Sequence, residues 1–358
     1  MKKTLAAIAI LGAFAGSAMA DVTVYGKVDM GMAVVNSGDT TTMKMATGQS
    51  SGNRYGLKGS EKIAEGLTVG FQLEAGFAAD TGANAGTATF HRESRLWVAT
   101  DYGTLHFGRM GTLDSGTGSV NLGGGMSAFG TGWGADDVIG KANFVTVLDT
   151  RRDNVVTYQS PKMAGLTVYA QVASGTEADK VTAGAHDENG NWVAESKVAA
   201  DRAGAEYGHD ADRYWAVGAK YQAGAFNAAL TASLLDASNV GTTEDRYNYN
   251  LGLGYDFGVA KVMLQANYME QGDAENKAAV LSATAPVAGG KLLAMAGYGV
   301  ATDADGVDTD KMNFAVGYQY TLSKQTYLYA GLGYNESEVD GGAKTDATIG
   351  QFGICHSF

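Results

Sequence analysis

The chain has 358 residues, 45% of them hydrophobic, which is enough for a large core, yet glycine occurs 51 times and proline only twice. Glycine excess with almost no proline excludes disordered low-complexity sequence, which is usually enriched in both. A single cysteine excludes a disulfide framework and a cysteine-cluster zinc site, and a formal net charge of −12 speaks against a nucleic-acid binder held by phosphate contacts.

The first element is a leader. Lys2 and Lys3 make a short basic head, Leu5 to Gly16 an apolar stretch, and Ala18-Met19-Ala20 a small-x-small cleavage pattern. That stretch is shorter than the roughly 20 residues needed to span a bilayer. Residues 1–20 are therefore expected to leave on export, with cleavage between Ala20 and Asp21, and residues 21–358 to form one mature domain. No later stretch is apolar for long enough to make a transmembrane helix.

Period-two alternation replaces it. In Val22-Thr23-Val24-Tyr25-Gly26-Lys27-Val28-Asp29-Met30 the even positions are apolar or glycine and the odd ones mostly polar. Leu67 to Ala75 repeats the pattern with apolar odd positions. Such alternation predicts strands with one apolar and one polar face. Sixteen segments carry it: 22–35, 52–61, 66–78, 91–101, 103–110, 151–160, 165–174, 212–222, 224–235, 246–257, 259–270, 278–286, 289–300, 311–322, 325–335 and 347–358. Short turns such as Asp101-Tyr102-Gly103, Ala223-Gly224 and Ser323-Lys324 alternate with longer polar loops at 36–51, 79–90, 111–150, 175–211, 236–245, 271–277, 301–310 and 336–346.

An exported chain with an even number of strands about ten residues long, turns at one end and loops at the other, predicts an all-β fold, a closed antiparallel barrel spanning the outer membrane. Closure satisfies every backbone group in the hydrocarbon layer and leaves no edge. Tyr102, Phe226, Phe257, Tyr320 and Tyr327 recur near strand ends, as an interfacial aromatic girdle requires. A soluble sandwich also alternates, but it needs neither feature. The last strand ends Gly353-Ile354-Cys355-His356-Ser357-Phe358, and Gly353, His356 and the terminal Phe358 resemble the strand signal read by the outer-membrane assembly machinery.

Several segments resemble a known family. Val22 to Asp29, Ser51-Gly52-Asn53-Arg54-Tyr55-Gly56-Leu57-Lys58-Gly59-Ser60-Glu61, Phe71 to Phe77, Tyr102 to Arg109 and Arg151 to Pro161 are similar to segments of the general, non-specific Gram-negative porins, especially their neisserial and proteobacterial branch. The resemblance covers essentially the whole mature chain. It implies a sixteen-stranded barrel, a homotrimer in outer-membrane lipid and lipopolysaccharide, and passive diffusion of small hydrophilic solutes and ions. In that family the third loop folds into the lumen and narrows it.

The third long loop here, 111–150, is glycine-rich and carries Asp114, Asp136, Asp137 and Asp149. Strand parity supplies a wall opposite it. Tyr55 and Leu57 facing lipid turn Arg54 and Lys58 inward; Leu96 and Val98 outward turn Arg95 and Trp97 inward; Val156 and Tyr158 outward turn Arg151 and Asp153 inward. The resemblance singles out Arg54, Arg92 and Arg151, whereas parity turns Arg92 outward unless a bulge at the strand's outer end re-aims it. Arginines opposite carboxylates across a water-filled gap set up a transverse field, which low-dielectric walls focus. The sign of ion preference stays open, since the family branch often favours anions while this chain is strongly acidic.

Catalytic motifs are absent. His91, His106, His186, His209 and His356 show no metal-ligand spacing, and neither a Gly-x-Ser-x-Gly elbow nor a phosphate-binding loop occurs. Cofactors are not expected, apart from divalent cations held by acidic external loops such as 175–211 and bridging to lipopolysaccharide. Cys355 has lumen parity and reads as a small buried residue. The alternative to a pore is a structural or adhesive barrel whose third loop stays outside.

Overall fold

The computed structural model describes residues 22–123, 126–130, 133, 150–174, 185–186, 192–193, 213–236 and 244–358. The first half of the wall comprises β1 (Thr23–Ser37), β2 (Thr40–Thr47), β3 (Arg54–Ala64), β4 (Leu67–Gly76), β5 (Glu93–Thr100), β6 (Gly103–Gly111), β7 (Arg151–Gln159) and β8 (Leu166–Ser174). Two-residue strands β9 (Ala185–His186) and β10 (Trp192–Val193) pair only with each other. The second half comprises β11 (Arg213–Ala223), β12 (Phe226–Asp236), β13 (Arg246–Asp256), β14 (Lys261–Gln271) and β15 (Ala274–Val287). It ends with β16 (Gly290–Thr302), β17 (Asp308–Thr321), β18 (Thr326–Val339) and β19 (Lys344–Ser357).

Every wall strand pairs antiparallel with its neighbours, and β1 pairs with β19 from Lys27↔Ser357 to Ser37↔Ala347, which closes the sheet. β2 and β3 share one position, since β1 pairs with β2 over Met30–Ser37 and with β3 over Thr23–Lys27. The barrel therefore has sixteen staves. Closure leaves no unpaired edge, which a membrane-spanning sheet requires. Outward positions carry Val217 at 60% exposure, Leu230 at 56%, Leu281 at 56%, Leu332 at 60% and Phe352 at 57%. So continuous an exposed apolar band suits lipid rather than water.

Two expectations about loops change. Residues 36–51 were expected to form a loop, but β2 pairs there with the upper half of β1 as a hairpin. The segments 271–277 and 336–346 are also mostly strand, and 301–310 is half strand, because β14–β19 continue past the apolar band. Alternation marks a strand only where one face meets lipid; beyond the membrane both faces meet water and the ladder continues with polar side chains. There Tyr268 donates to Glu270 and Glu275, and Lys344 pairs with Glu336.

Between β2 and β3, residues 48–53 leave the wall and turn inward. Fully buried Asp29 of β1 holds them: its carboxylate accepts from the Ser50 amide (3.0 Å), Ser50 Oγ (2.6 Å), the Ser51 amide (2.8 Å) and Tyr329 OH (2.6 Å). This inward turn brings Gln49 and Arg54 to the lumen side.

The terminal residue seals the seam. Gly26 and Phe358 exchange both backbone hydrogen bonds (3.0 and 3.1 Å), and the Phe358 ring occupies the space a Cβ on Gly26 would need. Gly353 lies where a Cβ would meet Tyr329 OH and the Met30 carbonyl, and His356 Nδ1 meets Thr326 Oγ1 at 2.8 Å. Deleting Phe358 removes one closing pair and the ring that covers it. The yield of heat-modifiable folded barrel on cold SDS gels is expected to fall several-fold; unchanged yield would show that the seam closes without it.

Candidate constriction of the lumen

The long segment after β6 lies inside the barrel as far as it is described. Gly218 of β11, Gly252 of β13 and Gly317 of β17 share the inward parity of buried neighbours such as Tyr214, Asn250 and Ala315. A Cβ on Gly218 would meet Leu122, one on Gly252 would meet Met126, and one on Gly317 would meet Trp133 and Phe129. The Ala128 amide donates to Ser282 Oγ of β15 (3.0 Å), Trp133 packs edge-on against Tyr329 of β18 (centroids 5.3 Å), and its amide donates to the Gln49 carbonyl. The described part of the segment up to Trp133 thus follows the inner wall from β11 to β18, and Trp133 meets the inward turn before β3. Glycine in the wall makes room for each apolar anchor of the loop.

Replacing Gly252 with valine should test this seating. Valine suits a strand better than glycine, so the wall stays and Met126 has to move. The expected result is a changed single-channel conductance with unaltered heat resistance of the barrel. Wild-type conductance would place the loop elsewhere.

Asp114 does not face the basic wall, contrary to expectation. It is buried at 2% exposure among β11–β13, where its carboxylate accepts from Tyr214 OH (3.1 Å), Ser233 Oγ (3.0 Å) and Asn248 Nδ2 (2.9 Å). A carboxylate is stable in such a place only when hydrogen-bonded; Asp114 is an anchor of the loop. Asp136, Asp137, Asp149, the leader and the 175–211 loop apart from 185–186 and 192–193 lie outside the described residues.

The expected arginines do gather on β3–β7. Arg54 and Arg92 lie within electrostatic range of each other, and Arg151 within range of Arg92, Glu93, Glu74 and Arg54. Arg54 donates to the Gly52 carbonyl (2.9 Å) and Ser51 Oγ (3.0 Å) of the inward turn. Arg92 precedes β5, so the parity that turned it outward does not apply, and its Nε meets Glu74 Oε1 at 2.7 Å. Arg95 pairs with Glu93 at 3.1 Å and donates to Gln72 Oε1 and His106 Nδ1. Lys58 stands apart, its Nζ 5.1 Å over the Tyr25 ring.

The expectation for Asp153 is corrected. Register shifts between β6 and β7 around Gly108/Met110, and Asn154 adopts φ 55°, so a bulge reverses parity above Val155. Arg152 takes the buried position opposite Met110, its guanidinium 5.6 Å over the Tyr214 ring. Asp153 is exposed and pairs at 2.7 Å with Arg109, which stands opposite outward-facing Ser94. Arg151, first residue of β7, nonetheless stays within electrostatic range of Arg54 and Arg92.

The wall is mixed rather than purely basic. Glu74 and Glu93 are buried within it, at 5% and 1% exposure, and Glu74 also accepts from Tyr25 OH (3.0 Å). Sequence reasoning passed over both, although parity placed them beside Gln72 and Arg95 on inward positions. Neither Arg54 nor Arg151 lies within ion-pair distance of a carboxylate among the described residues. The loop touches this wall at Ser119, whose amide donates to Glu93 (3.3 Å) and whose hydroxyl donates to Gln72 (2.7 Å). Among the described residues no group of three or more His, Cys, Asp or Glu could hold a metal ion.

Such a lumen, lined by fixed charges and narrowed by a seated loop, can pass hydrated solutes and sort them by charge. Comparison with known proteins agrees with that geometry. A family model described as Gram-negative porin matches residues 4–340. An outer membrane porin protein of Bordetella pertussis is 30% identical, with 92% of this chain and 93% of that protein covered. Outer membrane porin protein 32 of Delftia acidovorans is 31% identical over 93% of this chain and 89% of its own length. Among solved structures, an anion-selective porin from Comamonas acidovorans superposes with a TM-score of 0.68 at 24% identity, covering 95% of this chain and 100% of that one. With a closed sixteen-stave barrel, an inward loop and a charged lumen wall, the chain belongs to the Gram-negative porin family and forms an outer-membrane channel.

Proposed function

We propose that this porin lets small hydrophilic solutes diffuse passively, with a preference for anions set at its charged wall. The observation that carries the reading is the cluster on β3–β7, where Arg54, Arg92, Arg95 and Arg151 gather around two carboxylates among the described residues, Glu74 and Glu93. Guanidinium stays charged at any relevant pH, and a narrow gap with low-dielectric walls focuses its field. The acidic character of the chain as a whole, −12, then acts in the vestibule, where salt screens it more easily. The anion-selective porin from Comamonas acidovorans, which shares the fold, has the same sign of preference.

Assembly as a homotrimer, after loss of residues 1–20, completes the proposal; its support is the resemblance of Ser51–Glu61 and Arg151–Pro161 to segments of the trimeric branch. The refolded protein in a planar bilayer should give stepwise currents in potassium chloride, with a reversal potential across a salt gradient that follows chloride. A potential following potassium would overturn the preference. Absence of steps would return the chain to the structural or adhesive reading. Native mass spectrometry in detergent should find three copies per particle.

A further inference from the structure

On the short-turn side of the arginine group the inner wall holds a second set of residues that the charge filter does not use. Lys58 stands opposite Gln72, and Gln72 opposite Arg95; one row nearer the turns, Ser60, Gly70, Trp97 and His106 stand in line across β3–β6. A concavity of about 620 Å³ opens here, lined by Lys58, Ser60, Gln72, Trp97 and His106 and, from the arginine group, by Arg95. The Trp97 indole lies across Gly70, in space that any Cβ at that position would fill. One side of the ring therefore rests on the sheet, and the half-buried indole lines the concavity with the other. Lys58 is exposed and has no carboxylate within ion-pair distance among the described residues; its Nζ lies 5.1 Å over the Tyr25 ring.

The supported Trp97 face and the Lys58 ammonium, which has no ion pair among the described residues, line the same concavity. A bare inorganic anion gains from the ammonium alone. A neutral ring gains from the indole alone. A planar ring bearing a carboxylate engages both, by stacking and by charge.

We propose that Trp97 and Lys58 form a transient subsite for aromatic carboxylates, which the arginine group has already selected for their negative charge. The inference rests on the channel reading above and names a class of solute within it. Retention there stays weak because the site is open to water and adds one stacking contact and one screened charge. That weakness is what a diffusion pore needs, since tight binding would slow release.

The test is noise analysis of single-channel chloride current with benzoate or acetate added on the turn side. Benzoate is expected to produce brief current interruptions and acetate none. Trp97→Ala should shorten the benzoate dwell time about five-fold, the equivalent of roughly 1 kcal/mol of stacking. It should leave chloride conductance without added benzoate unchanged. Trp97→Phe, which keeps a ring, should restore most of the dwell, and Lys58→Gln should shorten it. Wild-type chloride steps with no benzoate interruptions would overturn the subsite, as would interruptions unchanged in Trp97→Ala. Loss of chloride steps in the wild-type protein would remove the channel reading and the subsite with it.

Discussion

Replacing Arg54 and Arg151 together by alanine is expected to cut the anion-to-cation permeability ratio about five- to ten-fold, an effect of roughly 1 kcal/mol on a passing ion. These two are chosen because the other arginines are already compensated in part: Arg92 by Glu74 at 2.7 Å, and Arg95 by Glu93 at 3.1 Å. The double replacement removes two fixed positive charges and leaves both carboxylates in place. A wall with a net positive field becomes nearly neutral. The shift in reversal potential should be largest in dilute salt, where the screening length exceeds about 10 Å, and should shrink near 1 M, where it is about 3 Å. If the reversal potential at low salt did not move, selectivity would belong to the acidic external loops. Arg95→Ala alone is a poorer probe, because it would strand Glu93 at 1% exposure without its partner.

Asp114→Ala is expected to have the largest effect on the pore's size. Three hydrogen bonds from Tyr214, Ser233 and Asn248 end on this one buried carboxylate, close to the point where the loop leaves β6. Alanine removes the shared acceptor of all three, and the loss for loop seating is at least on the order of 3 kcal/mol, taking about 1 for each buried group deprived of its partner. The barrel wall has its own ladder and should keep its heat resistance. The loop should instead fluctuate about its apolar anchors, Leu122, Met126 and Trp133. Single-channel recordings are then expected to show higher mean conductance and more open-channel noise. Quiet channels of wild-type conductance would assign the seating to the apolar anchors alone. Asp114→Asn separates charge from shape, since an amide of the same size can accept at one oxygen only.

Most of the wall was legible because a lipid-spanning strand has no freedom in its pattern. Each residue faces either hydrocarbon or the lumen, so Val22–Met30 and Leu67–Ala75 announce both their conformation and their orientation. The number of staves follows from counting, and the inward direction of Arg54, Lys58, Arg95 and Trp97 follows from parity. Legibility stops where that constraint stops. Above the membrane both faces are wet, so β2 and the extensions of β14–β19 carry no periodic signal, although their backbones pair as well as any.

Parity also fails at single residues where the backbone departs from the pleat. The bulge at Asn154 exchanges Arg152 for Asp153 on the inner face, and Arg92 escapes the rule by standing before the strand begins. Neither is marked by residue type, because a bulge is the response of a ladder to both its neighbours at once.

A closed β-barrel of sixteen staves with a polar lumen was written into the chain, since alternation and turn spacing act within a few residues. The sequence could not determine which charges oppose which. That depended on contacts between residues far apart in the chain, such as Asp114 with Asn248, Trp133 with Tyr329, and Asp29 with Tyr329. An aspartate in a glycine-rich loop reads the same whether it faces water or a buried hydroxyl. Only the closed wall, which brings β11–β13 to meet the start of the loop, made Asp114 an anchor and left Arg54 and Arg151 without an ion pair among the described residues.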